Sequence, residues 1–233
     1  LPNPAGWPHG DRNHMDAARW IVGTRDKASG GGMKDNFDKC LSITLRHEGG
    51  WADHPKDPGG ATMKGVTIGT YAQFKGRKVT KDELRNISDA DLRTIYRRNY
   101  WDKVRGDDLP AGLDLVAFDG AVNSGPARGA RWVQQGLGVA DDGKIGPATI
   151  AAAKAVPASP AIAASCDARL EFLHRLKTWP TFGRGWQSRV DDIRRQAVAM
   201  ATTPVAASPA PDPVTKPAAS GFWTWLVSLF TRR

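Results

Sequence analysis

The stretch His47-Glu48-Gly49-Gly50-Trp51 lies where a helical pattern ends and a loop rich in glycine and proline begins. The residues before it recur at the three- and four-residue spacing of one helix face, and they are Phe37, Cys40, Leu41, Thr44 and Leu45. Because Glu48 follows Phe37 by eleven residues, close to three helical turns, it continues the same stripe. Two glycines in a row are typical of a helix end. The pattern therefore predicts a helix from Lys34 to Glu48, with a carboxyl at its end beside the core.

The position of Glu48 matches the needs of a glycosidase acid. A carboxyl that borders the core and opens on a loop is partly desolvated. Such an enzyme also needs a second carboxylate across a gap, and Asp57 follows nine residues later in a polar loop. The alternative is structural: Glu48 is then a half-buried helix-end residue, and Asp57 shapes a turn with Pro58. Spacing alone leaves both interpretations open.

The composition indicates a globular protein with a basic surface. The chain has 233 residues, 40% of them hydrophobic, which is enough for one cored domain with an appendage or for two small domains. A net charge of +9 favours a polyanionic partner such as a cell-wall polymer, a nucleic acid or an acidic membrane surface. The basic residues are scattered and no recognition motif occurs, so we expect no nucleic-acid partner. Some of the nine tryptophans should lie in the core, and exposed ones can stack on sugar rings or bases or lie at a membrane interface.

The two cysteines, Cys40 and Cys166, have neither a metal-binding spacing nor a nearby histidine. Because Cys40 lies on the apolar stripe, we expect two separate buried thiols, although a disulfide would form if the pair met in an oxidising compartment. We expect no metal, no cofactor and a monomeric protein.

Helical patterns dominate the rest of the chain and predict a mainly α protein. Thr80 to Glu83 form a capping box, and Ser88 can cap the next helix. Residues 113–122 form an apolar run typical of a buried helix, and amphipathic helices follow as far as residue 200. In the region after Glu48, only Val66-Thr67-Ile68 resembles a strand.

Asp119 and Asn123 are two polar residues on the buried helix. They are spaced i, i+4 and therefore share one face. Buried polar groups need partners, so this pair either hydrogen-bonds to each other and to a nearby loop or faces a cleft. The sequence leaves the two alternatives equal.

Both ends of the chain differ in composition from the middle. Residues 1–32 are interpreted as a leader or flexible arm before Met33, without a recognisable signal peptide. Residues 201–220 are predicted to be a Pro/Ala/Ser/Thr linker. Residues 221–233 form an apolar, basic tail too short to span a bilayer, predicted either to bind an anionic membrane surface or to dock on its own domain. The side chains that would enter the membrane surface are Phe222, Trp223, Trp225, Leu226 and Phe230.

An ordered set of motifs resembles the N-terminal signature of glycoside hydrolase family 108, the peptidoglycan-cleaving muramidases of phage lysis cassettes and bacterial secretion loci. The motifs are Glu48-Gly49-Gly50-Trp51, Asp57-Pro58-Gly59-Gly60-Ala61-Thr62, Lys64-Gly65-Val66-Thr67 and Tyr71. Further on, residues 118–125 and 142–149 resemble the predicted peptidoglycan-binding region of that family. The resemblance covers roughly residues 33–200, which we divide into a catalytic region, 33–125, and a helical peptidoglycan-binding region packed on it, 126–200.

The resemblance implies a lysozyme-like helical fold with a small β element beside the cleft. It implies catalysis by Glu48, and a parallel with phage-type lysozymes implies that Asp57 and Thr62 position or activate a water. Trp51 stands where the family often has Tyr, and either ring can stack. As substrate-binding residues we expect Trp51, Asp53, Thr67, Tyr71, Asp119 and Asn123, and Asp53 and Thr67 are also close enough in sequence to take a role in activating the water.

The expected reaction is hydrolysis of the β-1,4 bond between N-acetylmuramic acid and N-acetylglucosamine, with inversion. Inversion requires that the Glu48 and Asp57 carboxyls lie roughly 6.5–9.5 Å apart, because a water must fit between them. The alternatives are a lytic transglycosylase, in which Glu48 acts alone, and a non-catalytic wall-binding module. We expect synthesis in the cytoplasm and action in the periplasm or cell wall, in phage-like lysis or in a secretion-linked role.

Overall fold

The computed structural model describes residues 36–53 and 60–202. The predictions for the leader, for Asp57, for most of the linker and for the tail lie outside the described residues. In the part that is described, helices dominate, and a small antiparallel sheet follows the first of them. This architecture confirms the mainly α class with a small β element.

The first helix, α1, spans Asn36–Leu45, and its buried face carries Phe37, Cys40, Leu41, Ile43 and Thr44. It is shorter than predicted. The amide of His47 donates to the carbonyl of Thr44 over 3.0 Å, and that of Glu48 donates to the carbonyl of Leu45 over 3.2 Å. These bonds span three residues instead of four, so Glu48 lies in a tight turn after the helix. The apolar stripe still brings its carboxyl to the core.

The sheet consists of three strands of two residues each, in the order β1 (Trp51–Ala52), β2 (Thr62–Met63) and β3 (Val66–Thr67). Ala52 pairs with Thr62, which in turn pairs with Thr67. The strand predicted at Val66 is present but ends at Thr67, because the Thr67 side chain caps helix α2 (Ile68–Lys75). The other two strands are too short to show alternation, and the sequence did not predict them.

Short helices then lead to the centre of the protein. They are α3 (Lys81–Arg85), α4 (Asp89–Tyr96), a π-helical turn (Arg97–Trp101) and two 3₁₀ turns (Asp102–Val104 and Gly106–Asp108). The predicted capping box between Thr80 and Glu83 is present, and Ser88 caps α4. Both caps follow local side-chain chemistry, which explains why they could be predicted.

Helix α5 (Leu113–Ser124) is the central element, and it is buried, as the apolar run predicted. It contacts α1 and the C-terminal helices α6 (Pro126–Gly136), α8 (Ala158–His174) and α9 (Trp179–Thr202). Helix α7 (Pro147–Ala155) packs on α8. One hydrophobic core contains residues of both predicted regions, from Phe37 to Met200. Among the described residues, no helix is long and apolar enough to cross a membrane.

The motif at 142–149 has a clear structural role. The Gln134 amide nitrogen donates to Asp142 Oδ1 over 2.8 Å, to the Lys144 carbonyl over 3.0 Å and to Thr149 Oγ1 over 3.2 Å. Its amide oxygen accepts from the backbone of Gly143 over 2.9 Å. One buried side chain therefore fastens the loop before α7 to α6.

Cys40 and Cys166 are both buried and both free, which confirms the prediction of two separate thiols. Burial raises the pKa of each thiol, that of Cys166 to about 11. Neither thiol is therefore ionised at neutral pH, and both pack as small apolar side chains.

A buried carboxyl at the start of α5 gives the protein a pH-dependent stability. Asp114 Oδ1 accepts hydrogen bonds from the amides of Gly112 and Leu115, both over 2.7 Å, and Oδ2 accepts from Asn36 over 2.9 Å. Burial nevertheless raises the pKa of Asp114 from 3.8 to about 6. The folded state therefore takes up a proton at a higher pH than the unfolded chain does.

Replacing Asp114 is expected to remove this pH dependence. In the wild type, the stability contributed by protonated Asp114 is fully present below pH 3.8 and is lost as the pH rises through about 6, up to about 3 kcal/mol in all. Asp114→Asn keeps an oxygen for the two amides and does not titrate. Urea unfolding between pH 4 and pH 7 should show a smaller change for Asp114→Asn than for the wild type. Asp38→Asn, at an exposed carboxyl, serves as the control; equal pH dependence in all three proteins would contradict this account.

Candidate active site

The Glu48 carboxyl lies in a nearly closed environment where α1, the sheet and α9 meet. Only 9% of its side chain is exposed. Its Oε1 accepts a hydrogen bond from Arg189 Nη2 over 2.9 Å. Its Oε2 lies beside Gly65 in the turn between β2 and β3. Arg189 therefore binds one oxygen of the Glu48 carboxyl, and the backbone of Gly65, which carries no side chain, lies beside the other.

Arg189 comes from α9 and connects Glu48 to a second carboxylate. Its Nη2 also donates to Asp119 Oδ1 over 2.7 Å, and its Nε contacts the two oxygens of Asp119 at 3.1 and 3.2 Å. Arg169 of α8 donates from Nη1 to Asp119 Oδ2 over 2.6 Å and from Nη2 to Asn123 over 3.2 Å. The side chain of Asp119 has no exposed surface, and that of Arg169 only 2%. We call Glu48, Arg189, Asp119 and Arg169 the buried charge cluster.

The ion pairs of the cluster fix the protonation states of Asp119 and Arg189. Burial alone would raise the pKa of Asp119, but the charges and hydrogen bonds of Arg189 and Arg169 outweigh it and hold that pKa well below its ordinary value. Burial alone would lower the pKa of Arg189, but Asp119 and Glu48 together raise it. Asp119 is therefore a permanent anion, and Arg189 a permanent cation.

Two tyrosines form a further wall of the site. The Tyr96 hydroxyl donates to the Lys64 carbonyl over 2.8 Å, which ties α4 to the turn between β2 and β3. Burial, followed by the charge of Glu48, raises the pKa of both Tyr96 and Tyr100. Both phenols therefore stay protonated near Glu48 at neutral pH.

The fit between Glu48 and this turn depends on Gly65. A Cβ at this position would lie 2.5 Å from the Tyr96 hydroxyl and 3.1 Å from Glu48 Oε2. Its φ of +75° also lies in the left-handed region, which residues with a side chain rarely adopt.

We therefore expect Gly65→Ala to displace the turn from Glu48 and Tyr96. The free energy of unfolding of the variant should fall by about 1–3 kcal/mol, because the backbone is strained and the added methyl group overpacks the site. Its activity should fall as well. Gly76→Ala is the matched control, because Gly76 has a φ of +66° but a Cβ added there would meet no atom within 4 Å. Urea unfolding of both variants separates the cost of the left-handed backbone from the cost of the contact. Equal losses of free energy of unfolding would contradict a role for the contact with Glu48 and Tyr96.

Thr62 and Thr67 are neighbours in the sheet. They face each other as a register pair across β2 and β3. The Thr62 hydroxyl contacts the Gly60 carbonyl at 3.4 Å, while that of Thr67 accepts from the amide of Thr70 over 3.1 Å as the cap of α2. Thr67 thus has a structural role of its own. Asp57, the predicted partner of Glu48, lies outside the described residues.

Trp51 and Asp53 lie in and directly after β1, and both have cationic neighbours. The Arg85 guanidinium lies 4.4 Å from the centre of the Trp51 ring, and Lys81 binds the Asp53 carboxylate over 2.9 and 3.1 Å. A sugar stacking on the face of Trp51 that Arg85 covers would have to displace the guanidinium.

Tyr71 and Asp119 differ most from the expected substrate-binding role. Tyr71 is 5% exposed, and its hydroxyl donates to Asp91 over 2.9 Å. Asp119 is fully buried and paired with two arginines, so it has no surface for direct contact with a substrate, and that expectation needs correction. The sequence offered either hydrogen bonds to each other and to a loop or a cleft for the pair with Asn123; the structure instead shows both side chains accepting from Arg169 of α8.

Arg189 and Arg169 carry no sequence motif that would have marked them as part of the site. Arg189 lies three residues after Trp186 and four before Ile193, on the apolar face of α9. Arg169 lies in the same way between Cys166 and Leu173 on α8. An arginine on an apolar helix face needs a buried anion as its partner, and Asp119 is an anion on an apolar helix that needs a cation. The sequence could therefore have predicted an ion pair between them. Within the described ranges, no group of three His, Cys, Asp or Glu residues could hold a metal ion.

Two family models match the chain. Residues 41–125 match the model described as glycosyl hydrolase 108, and residues 128–191 match the model described as a predicted peptidoglycan domain. The solved structure of SagA from Brucella abortus is 46% identical in sequence, with a TM-score of 0.65, and the match covers 73% of this chain and 98% of SagA. No curated protein matches the chain.

The lysozyme-like helical fold, the small sheet and the two matched regions define a glycoside hydrolase that acts on peptidoglycan. The chain belongs to glycosyl hydrolase family 108.

Proposed function

We propose that the protein is an N-acetylmuramidase, which hydrolyses the β-1,4 bond between N-acetylmuramic acid and N-acetylglucosamine in peptidoglycan. The observation that carries the proposal is the Glu48 carboxyl, 9% exposed and held by Arg189 beside the sheet. A desolvated carboxyl in a fixed orientation is suited to protonate the oxygen of a leaving sugar.

In the proposed reaction, Glu48 gives its proton to the glycosidic oxygen while a water attacks the opposite face of the sugar. Asp57 takes the proton of that water, and Thr62 helps to orient it, so the anomeric centre inverts. Thr62 pairs with Ala52 on the strand that follows Glu48 along the chain, which supports a position near the scissile bond. The proposal requires a separation of roughly 6.5–9.5 Å between the carboxyls of Glu48 and Asp57.

Substrate binding is assigned to the residues around β1 and β3. Trp51, Asp53 and Thr67 lie in or next to the sheet that borders Glu48, which supports contacts with the glycan. Asn123 and Tyr71 remain weaker candidates, because their polar groups have partners in Arg169 and Asp91. The net charge of +9 would concentrate the monomeric enzyme on the anionic wall.

The nature of the products tests the proposal. Purified sacculi digested with the wild type should release muropeptides with reducing ends, and their masses should be those of hydrolysed glycan. Proton NMR of the fresh products should show the inverted anomer first. A 1,6-anhydro product, lighter by one water, would instead identify a lytic transglycosylase. Retention on sacculi without any released sugar would identify a non-catalytic binding module.

We place this activity in the cell wall, in phage-like lysis, with the secretion-linked role as the alternative. The tail residues Phe222, Trp223, Trp225, Leu226 and Phe230 are assigned to an anionic membrane surface on their composition, because aromatic rings beside Arg232 and Arg233 suit that interface. Deleting residues 221–233 should abolish binding to anionic liposomes while leaving the digestion of purified sacculi unchanged.

A further inference from the structure

Among the described residues of the C-terminal helices, Arg189 is the charged side chain that binds the Glu48 carboxylate. Its planar guanidinium uses Nη2 for both Glu48 Oε1 and Asp119 Oδ1, and Nε for Asp119 alone. The side chain is 10% exposed. A guanidinium bound at two of its nitrogens cannot rotate without breaking several hydrogen bonds, so its position relative to Glu48 is fixed.

Asp119 is itself held from the opposite side. Arg169 donates to it over 2.6 Å, and the same guanidinium lies 5.4 Å from the centre of the Trp132 ring. Asp119 comes from α5, Arg169 from α8 and Arg189 from α9. The cation beside Glu48 is therefore fixed by three helices of the core, as a preorganised catalytic group should be.

The charges of the cluster depend on the state of Glu48. When Glu48 is ionised, two carboxylates balance two guanidinium groups. When Glu48 carries a proton, one positive charge is in excess. Losing the proton to a leaving group therefore restores neutrality at the moment when charge develops on Glu48. An interaction that strengthens as charge develops lowers the barrier of the chemical step and not only the ground-state energy.

We infer that Arg189 is a positioning residue for Glu48 in the glycosidase reaction, so that the region matched as a predicted peptidoglycan domain completes the catalytic site. The inference rests on the proposed function of Glu48. Arg189 fixes Oε1 and leaves Oε2, on the side of Gly65, to carry the proton to the glycosidic oxygen. The carboxylate that remains pairs with Arg189 until the proton that Asp57 took from the attacking water is returned to it through solvent.

The test compares Arg189→Met, Arg189→Lys and Arg194→Met with the wild type on a soluble peptidoglycan fragment. Arg194 is the matched control, because it lies on the same helix and pairs with Asp167 of α8, away from Glu48. For Arg189→Met we expect kcat to fall by roughly 10²-fold and KM to change little. Arg189→Lys keeps the charge without the planar guanidinium, so it should lower kcat less. Arg194→Met should match the wild type.

Circular dichroism and thermal unfolding report whether each variant is folded. A folded Arg189→Met protein with wild-type kcat would overturn the inference. If Arg189→Met does not fold, Arg189→Lys decides: a folded protein with reduced kcat supports the inference, and wild-type kcat overturns it. Absence of turnover by the wild type would instead overturn the proposed function, and the inference with it.

Discussion

Glu48→Gln is expected to lower the rate of peptidoglycan hydrolysis by about 10²–10⁴-fold, the usual contribution of a general acid. Glutamine has the shape of glutamic acid, and its amide oxygen can still accept the hydrogen bond from Arg189. It cannot give a proton to the leaving oxygen. Since only the transition state needs that proton, kcat should fall while KM stays nearly constant.

The fold should survive this change, because the glutamine still accepts from Arg189 and because Asp119, the carboxylate that both guanidinium groups bind, is kept. The melting temperature of the variant therefore serves as an internal check. Glu171→Gln is the matched control, since that carboxyl is 73% exposed and pairs with Arg175 at the surface. Release of reducing ends from purified sacculi measures all three proteins. A folded Glu48→Gln enzyme as fast as the wild type would remove Glu48 from the chemistry.

Asp119→Asn is expected to lower the free energy of unfolding by about 3–5 kcal/mol, because it leaves two buried guanidinium groups with Glu48 as their only anion in the cluster. The asparagine also turns an NH₂ group toward one of these cations. Its matched control is Asp167→Asn, which removes the carboxylate that pairs with Arg194 but is 65% exposed. Such a surface pair contributes about 0–1 kcal/mol. Urea unfolding of both variants at pH 7 measures the difference.

The loss in Asp119→Asn should also depend on pH. The pairing with Arg189 and Arg169 holds the pKa of Asp119 below its ordinary value of 3.8. The stability that this carboxylate contributes is therefore present above pH 3.8 and is lost as the pH falls toward the lower, folded-state pKa. The gap between wild type and variant should stay constant from about pH 5 to 8 and narrow in acid. A gap that widens in acid would contradict the ion-pair account.

Local chemistry explains which parts of the fold could be predicted. The caps at Thr80 and Ser88 could be predicted because each side chain bonds a backbone amide three residues away. Helix α5 could be predicted because its apolar residues form one continuous run. Glu48 could be singled out because it continues a stripe and precedes two glycines. Strands β1 and β2, two residues each, leave no alternating pattern, so only their pairing in the folded protein defines them.

The buried charge cluster could not be assembled from the sequence. Asp119 lies 50 residues from Arg169 and 70 from Arg189, and several other arginines could have been its partners. Helical periodicity places each of the three on an apolar face, but it does not say which faces meet. The sequence therefore left open whether Asp119 faces a cleft. In the folded protein, α5 packs against α8 and α9, and this packing buries Asp119 in the core.

The contact between Glu48 and Arg189 spans 141 residues of chain. A ribosome must therefore synthesise almost all of the described protein before the acid acquires its cationic partner. An unfinished chain that ends before α9 carries the complete Glu48 motif but lacks Arg189. The surroundings of the Glu48 carboxyl are therefore complete only when α9 has been synthesised and has packed on α5.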